Sequence, residues 1–212
     1  MLLAIDTSAG TSVAVVDRER GVLVERSVED SRRHAEVIGM LIRECLDLSG
    51  VAIADLSAVA AGMGPGPFTG LRVGIAAANA FALGAGKPVV RVVSHDAVAF
   101  AHYAAGGAEG PLLVTTDARR HERYWSAYRG ADEFSLPIRV QGPGLDRPDD
   151  LTDAVTGYDG YQRLDADWVS AASVGLLAET LYAHGRDFAG AEPLYLRSPD
   201  VTLSAGPKRV TA

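Results

Sequence analysis

Residues Gly62 to Gly74 read GMGPGPFTGLRVG, five glycines and two prolines in thirteen residues. The stretch leaves a buried apolar run, LSAVAAGM, and enters a small-residue segment, IAAANAFALGAG. A strand, a glycine turn and a helix in that order mark an α/β unit. The turn is not a Walker A loop, because no Lys follows the glycines to reach a β- or γ-phosphate. Nor is it G-x-G-x-x-G, since the glycines fall at 64, 66 and 70. Pro65 and Pro67 remove two N–H donors that a phosphate cradle would need. What remains is a rigid turn, with Thr69 free to cap the helix and Phe68 to staple it. Gly70, Gly74, Ala76, Ala77, Ala78, Ala80 and Gly84 make that helix narrow. Its own sheet takes one side, and the narrow remainder suits close approach by an external partner.

Upstream, MLLAID is a short apolar run closed by Asp6, followed by the turn TSAGT. TSVAVVD and GVLVERSVE are rich in β-branched residues, and Asp17–Gly21 supplies a hairpin signal between them. From Ser31, a predicted N-cap, Val37, Ile38, Leu41, Ile42, Cys45 and Leu46 recur at helical spacing until Gly50. Downstream, PVVRVV is a strand and SHDAVAFAHYAA a helix capped by Ser94. PLLVTTDARR is a strand ending in a second carboxylate, Asp117. HERYWSAYRG and RVQGPG are further strands. RPDDLTDAV is a short helix, and WVSAASVGLLAETLYAHG a longer one with Leu176, Leu177, Leu181 and Tyr182 toward a core. Strand–Asp–turn–strand occurs twice, so the pattern predicts two α/β lobes, each a mixed sheet flanked by helices. The divisions are 1–93, a smaller lobe at 94–200, and a frayed tail at 201–212.

The chain has 212 residues and a net charge of −7. A protein built chiefly to grip nucleic acid carries a basic stripe, and no Lys/Arg cluster here is longer than Arg32-Arg33 or Arg119-Arg120. One cysteine, Cys45, excludes an internal disulfide and falls on the apolar stripe of its helix, so it reads as core. The N-terminus lacks a basic region ahead of its apolar run, and no window of ~18 uninterrupted apolar residues spans a membrane. A cytoplasmic protein is expected.

Asp6 has two readings. A strand-end carboxylate beside hydroxyls and a Gly turn, Asp6-Thr7-Ser8, can hold hydrated Mg²⁺ or face phosphate, with Asp117 as its counterpart. Alternatively Asp6 caps its own turn. The histidines at 34, 95, 102, 121 and 184 fit no zinc motif. His95 and His102, seven apart, share a helix face without an acidic third ligand; His34 suits a cap or the surface. No nucleophile–base pair supports a peptidase. DARRHERYW carries Arg119, Arg120 and Arg123 beside Tyr124 and Trp125: a basic, aromatic edge for RNA or a nucleotide, or a solvated hairpin around a buried Trp.

Several of these pieces occur together and in order: AIDTSAGTSVAVVD, RRHAEVIGMLIRECL, GMGPGPFTGLRVGIAAANAFALG, DARRHERYWSAY and PLYLRSPDV. In that order they resemble the TsaB (YeaZ) family, over nearly the whole chain. The resemblance implies the actin-like/sugar-kinase (ASKHA) fold. It implies a non-catalytic subunit in tRNA N6-threonylcarbamoyladenosine (t6A) synthesis, with no catalytic residue and no metal ligand of its own. It further implies a TsaD-like paralogue as partner, a TsaE-like ATPase at their junction, a homodimer when alone, only indirect contact with tRNA, and ATP and Mg²⁺ used by the complex. The partner contact carries over to two helices, at His34, Val37, Ile38, Leu41 and Cys45, and at Phe68, Leu71, Ile75 and Asn79. Arg119, Arg120 and Arg123 are the positions for an RNA or TsaE contact. Pro67 stands where the family pattern has Ser, and the second lobe is short. The alternative is an actin-like ATP hydrolase or phosphotransferase using Asp6 and Asp117.

Overall fold

A computed structural model describes residues 1–29, 33–107 and 109–197. The first sheet holds β1 (Leu2–Asp6), β2 (Thr11–Asp17), β3 (Gly21–Val28), β4 (Ala58–Gly62) and β5 (Val89–Val92), in the order β3-β2-β1-β4-β5. β1, β2 and β3 form the antiparallel meander, and β4 and β5 run parallel to β1. Strand side chains alternate between faces, and here both faces are covered. Leu3 and Ile5 of β1, with Val13, Val15, Val59 and Ala61, pack under α1 (His34–Ser49) and α2 (Phe68–Ala85). Leu2 and Ala4, with Ala14, Val16 and Ala60, pack under α3 (Ser94–Ala104) and α5 (Ala171–Ala183). Double coverage explains why β1 and β4 are buried at every residue and read as apolar runs without alternation.

The second sheet holds β6 (Leu112–Asp117), β7 (Arg123–Ala131), β8 (Pro137–Asp146) and β9 (Gln162–Ala166), in the order β8-β7-β6-β9. Leu112, Val114 and Tyr128 pack against Ala99 and Tyr103 of α3. The other face packs Leu113, Trp125 and Ala127 against Leu151 of α4 (Leu151–Ala154) and Val155. Two mixed sheets flanked by helices are the actin-like architecture expected from the sequence. β9 has no counterpart in the sequence reading: QRLDA is an edge strand with little apolar content, so its partner β6 defines it. α5 follows the second sheet in the chain yet packs on the first, with Gly175 so close to Val16 that a Cβ would sit 2.6 Å from its Cγ2.

Three local expectations are corrected. Ser94 does not cap α3: the N-cap is Val93, and the Ser94 hydroxyl is used across the lobe instead. Thr69 does not cap α2, which starts at Phe68 behind Pro67 with no side-chain cap. Tyr182 is 76% exposed because it lies off the buried stripe of α5 that carries Val174, Leu177 and Ala178. Ser31 and the 201–212 tail lie outside the described residues. The extended segment after α5 covers the free edge of β5: the Ala189 N–H donates to the Arg91 carbonyl (2.9 Å), and the Leu194 N–H to that of Met63 (2.9 Å). It then reaches the second sheet, where Arg197 pairs with Glu122 and Nη1 donates to the Ala118 carbonyl (3.1 Å).

Candidate functional site: a closed turn, an open helix face and a basic turn

The glycines of the 62–74 stretch serve the chain's own packing. A Cβ on Gly62 would overlap Asp6 Oδ2, and one on Gly74 would overlap Thr7 Oγ1. At Gly66 a Cβ would stand 2.8 Å from Ser8 Cα, and at Gly70 2.7 Å from the Thr7 carbonyl oxygen. Loop and helix together therefore close over the Asp6–Gly10 turn, and only residues without side chains permit it.

That closure decides the state of Asp6, which is 2% exposed. Its Oδ1 accepts from the Ser8 N–H (2.8 Å) and the Ser8 hydroxyl (2.6 Å). Its Oδ2 accepts from the Ser94 hydroxyl (2.6 Å), which in turn accepts from the Gly64 N–H (3.0 Å). The Thr7 hydroxyl donates to the Gly70 carbonyl (2.7 Å). Burial pushes the Asp6 carboxyl above the usual range, against the pull of the Ser8 and Ser94 hydrogen bonds. Asp6, Thr7 and Ser8 thus cap and pin their own turn, the second of the two readings open to Asp6 in the sequence. A hydrated Mg²⁺ ion does not fit a carboxylate with no open face. Asp117 is exposed at the end of β6, where Oδ1 accepts from the Arg119 N–H (3.1 Å).

The helix pair also differs from expectation. His34, Val37, Ile38, Leu41, Cys45 and Leu71 all lie within the core. The His34 ring Nδ1 is 2.7 Å from the Thr11 hydroxyl, so this histidine is neither an N-cap nor a surface group. Cys45 is core as expected, and burial pushes its thiol up to about 11. Of the nine positions carried over, only Asn79 is fully exposed, and Phe68 and Ile75 are half-buried. Helical periodicity in a sequence picks out the stripe that packs on the chain's own sheet, so the face left open to solvent is the opposite one. That face presents Gly39, Met40 and Arg43 of α1, and Arg72, Ala76, Ala80 and Leu83 of α2. Met40 is 50% and Leu83 85% exposed. An open groove of about 450 Å³ runs beside it, lined by Ile42, Leu46, Ile53 and Phe81. α2 is apolar and long enough to cross a membrane by length and composition, yet in the fold it is a surface layer on β4.

The β6–β7 turn is the third feature. Arg119 (φ 61°), Arg120 (φ 55°) and His121 (φ 59°) are three successive residues in the left-handed region, all exposed. Each costs about 1 kcal/mol relative to ordinary backbone. Arg123 has a different role from its neighbours: Nε and Nη2 donate to the Thr115 hydroxyl (3.0 and 2.7 Å), and Nη2 to Asp165 Oδ1 (2.9 Å). It braces β6 to β9 and is corrected from contact residue to structural residue. Trp125 is buried, with Nε1 donating to Asp146 Oδ2 (2.7 Å), which realises the hairpin reading for that half of the motif.

His95 is fully buried, with Nδ1 2.9 Å from the Ser126 hydroxyl and Nε2 2.9 Å from that of Thr116. Both ring nitrogens are used, and burial pushes its pKa down to about 3. Among the described residues no three His, Cys, Asp or Glu side chains group as metal ligands. The role of His95 as a pin between α3 and the second sheet had no signal in sequence, because its hydroxyl partners lie 21 and 31 residues away.

Residues 11–157 match the sequence profile of the family described as TsaD: tRNA N6-adenosine threonylcarbamoyltransferase. An uncharacterized protein of Mycobacterium tuberculosis (strain H37Rv) is 37% identical over 209 residues, covering 94% of this chain and 92% of its own. The tRNA threonylcarbamoyladenosine biosynthesis protein TsaB of Escherichia coli K12 is 30% identical over 172 residues, covering 81% and 71%. The structure of YeaZ from Pseudomonas aeruginosa superposes with a TM-score of 0.73 at 27% identity, over 92% of this chain and 99% of that one. With the fold, the ordered motifs and these matches in agreement, the chain belongs to the TsaB (YeaZ) family.

Proposed function

We propose that this chain is a non-catalytic scaffold subunit in the biosynthesis of tRNA N6-threonylcarbamoyladenosine. It pairs with a TsaD-like transferase through the outer face of α1 and α2, and the pair recruits a TsaE-like ATPase. The observation that carries the reading is the contrast between a sealed Asp6 turn and an open apolar helix face beside it. A carboxylate with every face taken by Ser8 and Ser94 is of no use to a phosphotransferase. An exposed Leu83 and Met40 beside small residues suit helix-on-helix docking. The same face supports a homodimer of the chain alone.

The test is light scattering on a sizing column, first with this chain and then with the TsaD-like protein of the same genome. A heterodimer is expected. Leu83→Asp should weaken it at least tenfold without loss of thermal stability, because burying a leucine contributes about 2 kcal/mol. Leu41→Asp is the wrong variant, since it would break the core. Separate elution of the two proteins, with ATPase and nucleotide present, would refute the reading.

A further inference from the structure

A cavity of about 190 Å³ lies where the two lobes meet, between the end of β5, α3, β8, α5 and the segment that follows α5. It is on the α3–α5 side of the first sheet, away from the outer face of α1 and α2. Leu136, Leu177, Leu181 and Phe188 supply an apolar wall. Two charged side chains interrupt that wall, Asp96 of α3 and Arg139 of β8. Both lie largely inside the fold, 24% and 27% exposed. Asp96 Oδ1 accepts from the Tyr128 hydroxyl (2.8 Å), and Arg139 Nε stands 3.7 Å from the same oxygen. At that distance the two groups share a charge contact and not a hydrogen bond. Arg139 Nη1 is sealed from solvent and, among the described residues, has no hydrogen-bond partner. The Asp96 contact therefore serves the Nε edge of the guanidinium and leaves the Nη edge without an acceptor. Burial also pushes the Asp96 carboxyl above its usual range, against the pull of Arg139 and Tyr128, which weakens the counter-charge it offers.

A guanidinium is a planar fork that matches a carboxylate, and the pair is held more strongly in an apolar site than in water. Asp96, and Asp187 exposed at the rim, disfavour a multiply charged anion such as phosphate. The apolar wall favours a hydrocarbon body over a polar one. The volume is far above the ~15 Å³ that a single water needs. We infer that the cavity is a binding site for a small aliphatic monocarboxylate, its carboxylate on the Arg139 guanidinium and its hydrocarbon end against Leu177, Leu181 and Phe188. The site is independent of the scaffold reading, because neither helix of the proposed docking face lines it.

The test is a titration of the isotope-labelled full chain with isovalerate, followed through its amide NMR shifts. Saturable shifts are expected at residues 92–96, 136–139 and 177–189. The Kd should be on the order of 1 mM, the range open to so small a ligand. Isovaleramide, the neutral isostere, should bind at least about tenfold more weakly, because it lacks the charge that meets Arg139. Arg139→Gln should weaken isovalerate by the same factor of roughly ten or more. That variant takes the cation from Asp96, so a melting curve checks its fold. Leu181→Trp is the second variant: it fills the cavity, keeps Arg139 and Asp96, and should abolish the shifts. Equal binding of amide and carboxylate, or full affinity in Leu181→Trp, would overturn the inference. Phosphate shifts at the same residues would also sink it, since charge alone would then account for the site. An absence of shifts there even at ~20 mM isovalerate would leave the cavity to water and refute the assignment.

Discussion

Two turns in this chain share one grammar. β1 ends in Asp6 and β6 ends in Asp117, each followed by small or polar residues and an antiparallel partner strand. Their fates are opposite. Around Asp6 the following residues are Thr7, Ser8 and Gly10, and four glycines of the 62–74 stretch let loop and helix close over them. Around Asp117 the following residues are Arg119, Arg120 and His121, and the turn stays in solvent. A strand-end carboxylate is therefore an incomplete signal. What approaches it from elsewhere in the chain decides whether it is a pin or an exposed group.

The comparison breaks most visibly at the glycines. Gly74→Val places branched carbon where Thr7 Oγ1 lies and pushes α2 off β1. A loss of about 3 kcal/mol or more is expected, read as a fall in the denaturant midpoint. Gly84→Val, with open space around it, should cost under about 1 kcal/mol, and equal losses at the two sites would refute the closure argument.

The carboxylates come next. Asp6→Ala leaves the Ser8 N–H and two hydroxyls without their acceptor in a buried site, at a cost of about 2–3 kcal/mol. Asp117→Ala at an exposed turn should change stability by no more than about 0.5 kcal/mol. Chemical denaturation of the pair reads both, and a destabilised Asp117→Ala with a stable Asp6→Ala would invert the account.

His95 sets a pH dependence. Its folded pKa is depressed to about 3 from an ordinary 6.5, so the unfolded chain takes up a proton that the folded chain refuses. Stability from this group is complete above pH 6.5 and declines as pH falls toward 3. At pH 5 the loss is about 2 kcal/mol, at ~1.4 kcal/mol per pH unit. Asp6 works the other way, since its raised carboxyl favours folding most below its unfolded value of 3.8. Asp6 and Asp96, both raised by burial, give a slope of the opposite sign above 3.8, so the His95 contribution is the part of the slope between pH 5 and 6.5 that His95→Gln removes in a series of melting curves. An unchanged slope would mean that other groups set it.

The smallest effect is expected at the basic turn. Arg119→Asn/Arg120→Asn should change the melting temperature little, because Asn relieves about 1 kcal/mol of left-handed strain at each position against the loss of the arginines' own contacts. Arg123→Ala, which cuts the brace to Thr115 and Asp165, should lower it by about 1–2 kcal/mol. Equal losses at the two sites would show that the turn arginines are structural too.

Much of the architecture was legible in residue order. Apolar runs, β-branched segments and 3.6-residue spacing located eight of the nine strands among the described residues and the main helices, since those patterns reflect local backbone preference and burial. β9 escaped because an edge strand buries little and carries Arg163 and Asp165 instead of an apolar alternation. Of the candidate site, the motifs pointed to two helices and a turn. They assigned the inner stripe of α1 to a partner, because periodicity marks burial without saying what covers it. Ser94 looks like a cap from its neighbours, but its hydroxyl belongs to Asp6, 88 residues away.

By itself, then, the sequence determined the two-lobed α/β pattern, the rigidity of the glycine turn and the family resemblance, all of which are written in spacing and local chemistry. Tertiary structure alone decided that Asp6 is sealed, that His95 is a neutral pin and that the outer face of α2 is the open one. Those outcomes depend on which distant residues meet, and the burial and hydrogen-bond partners that set a side chain's chemistry exist only after they have met.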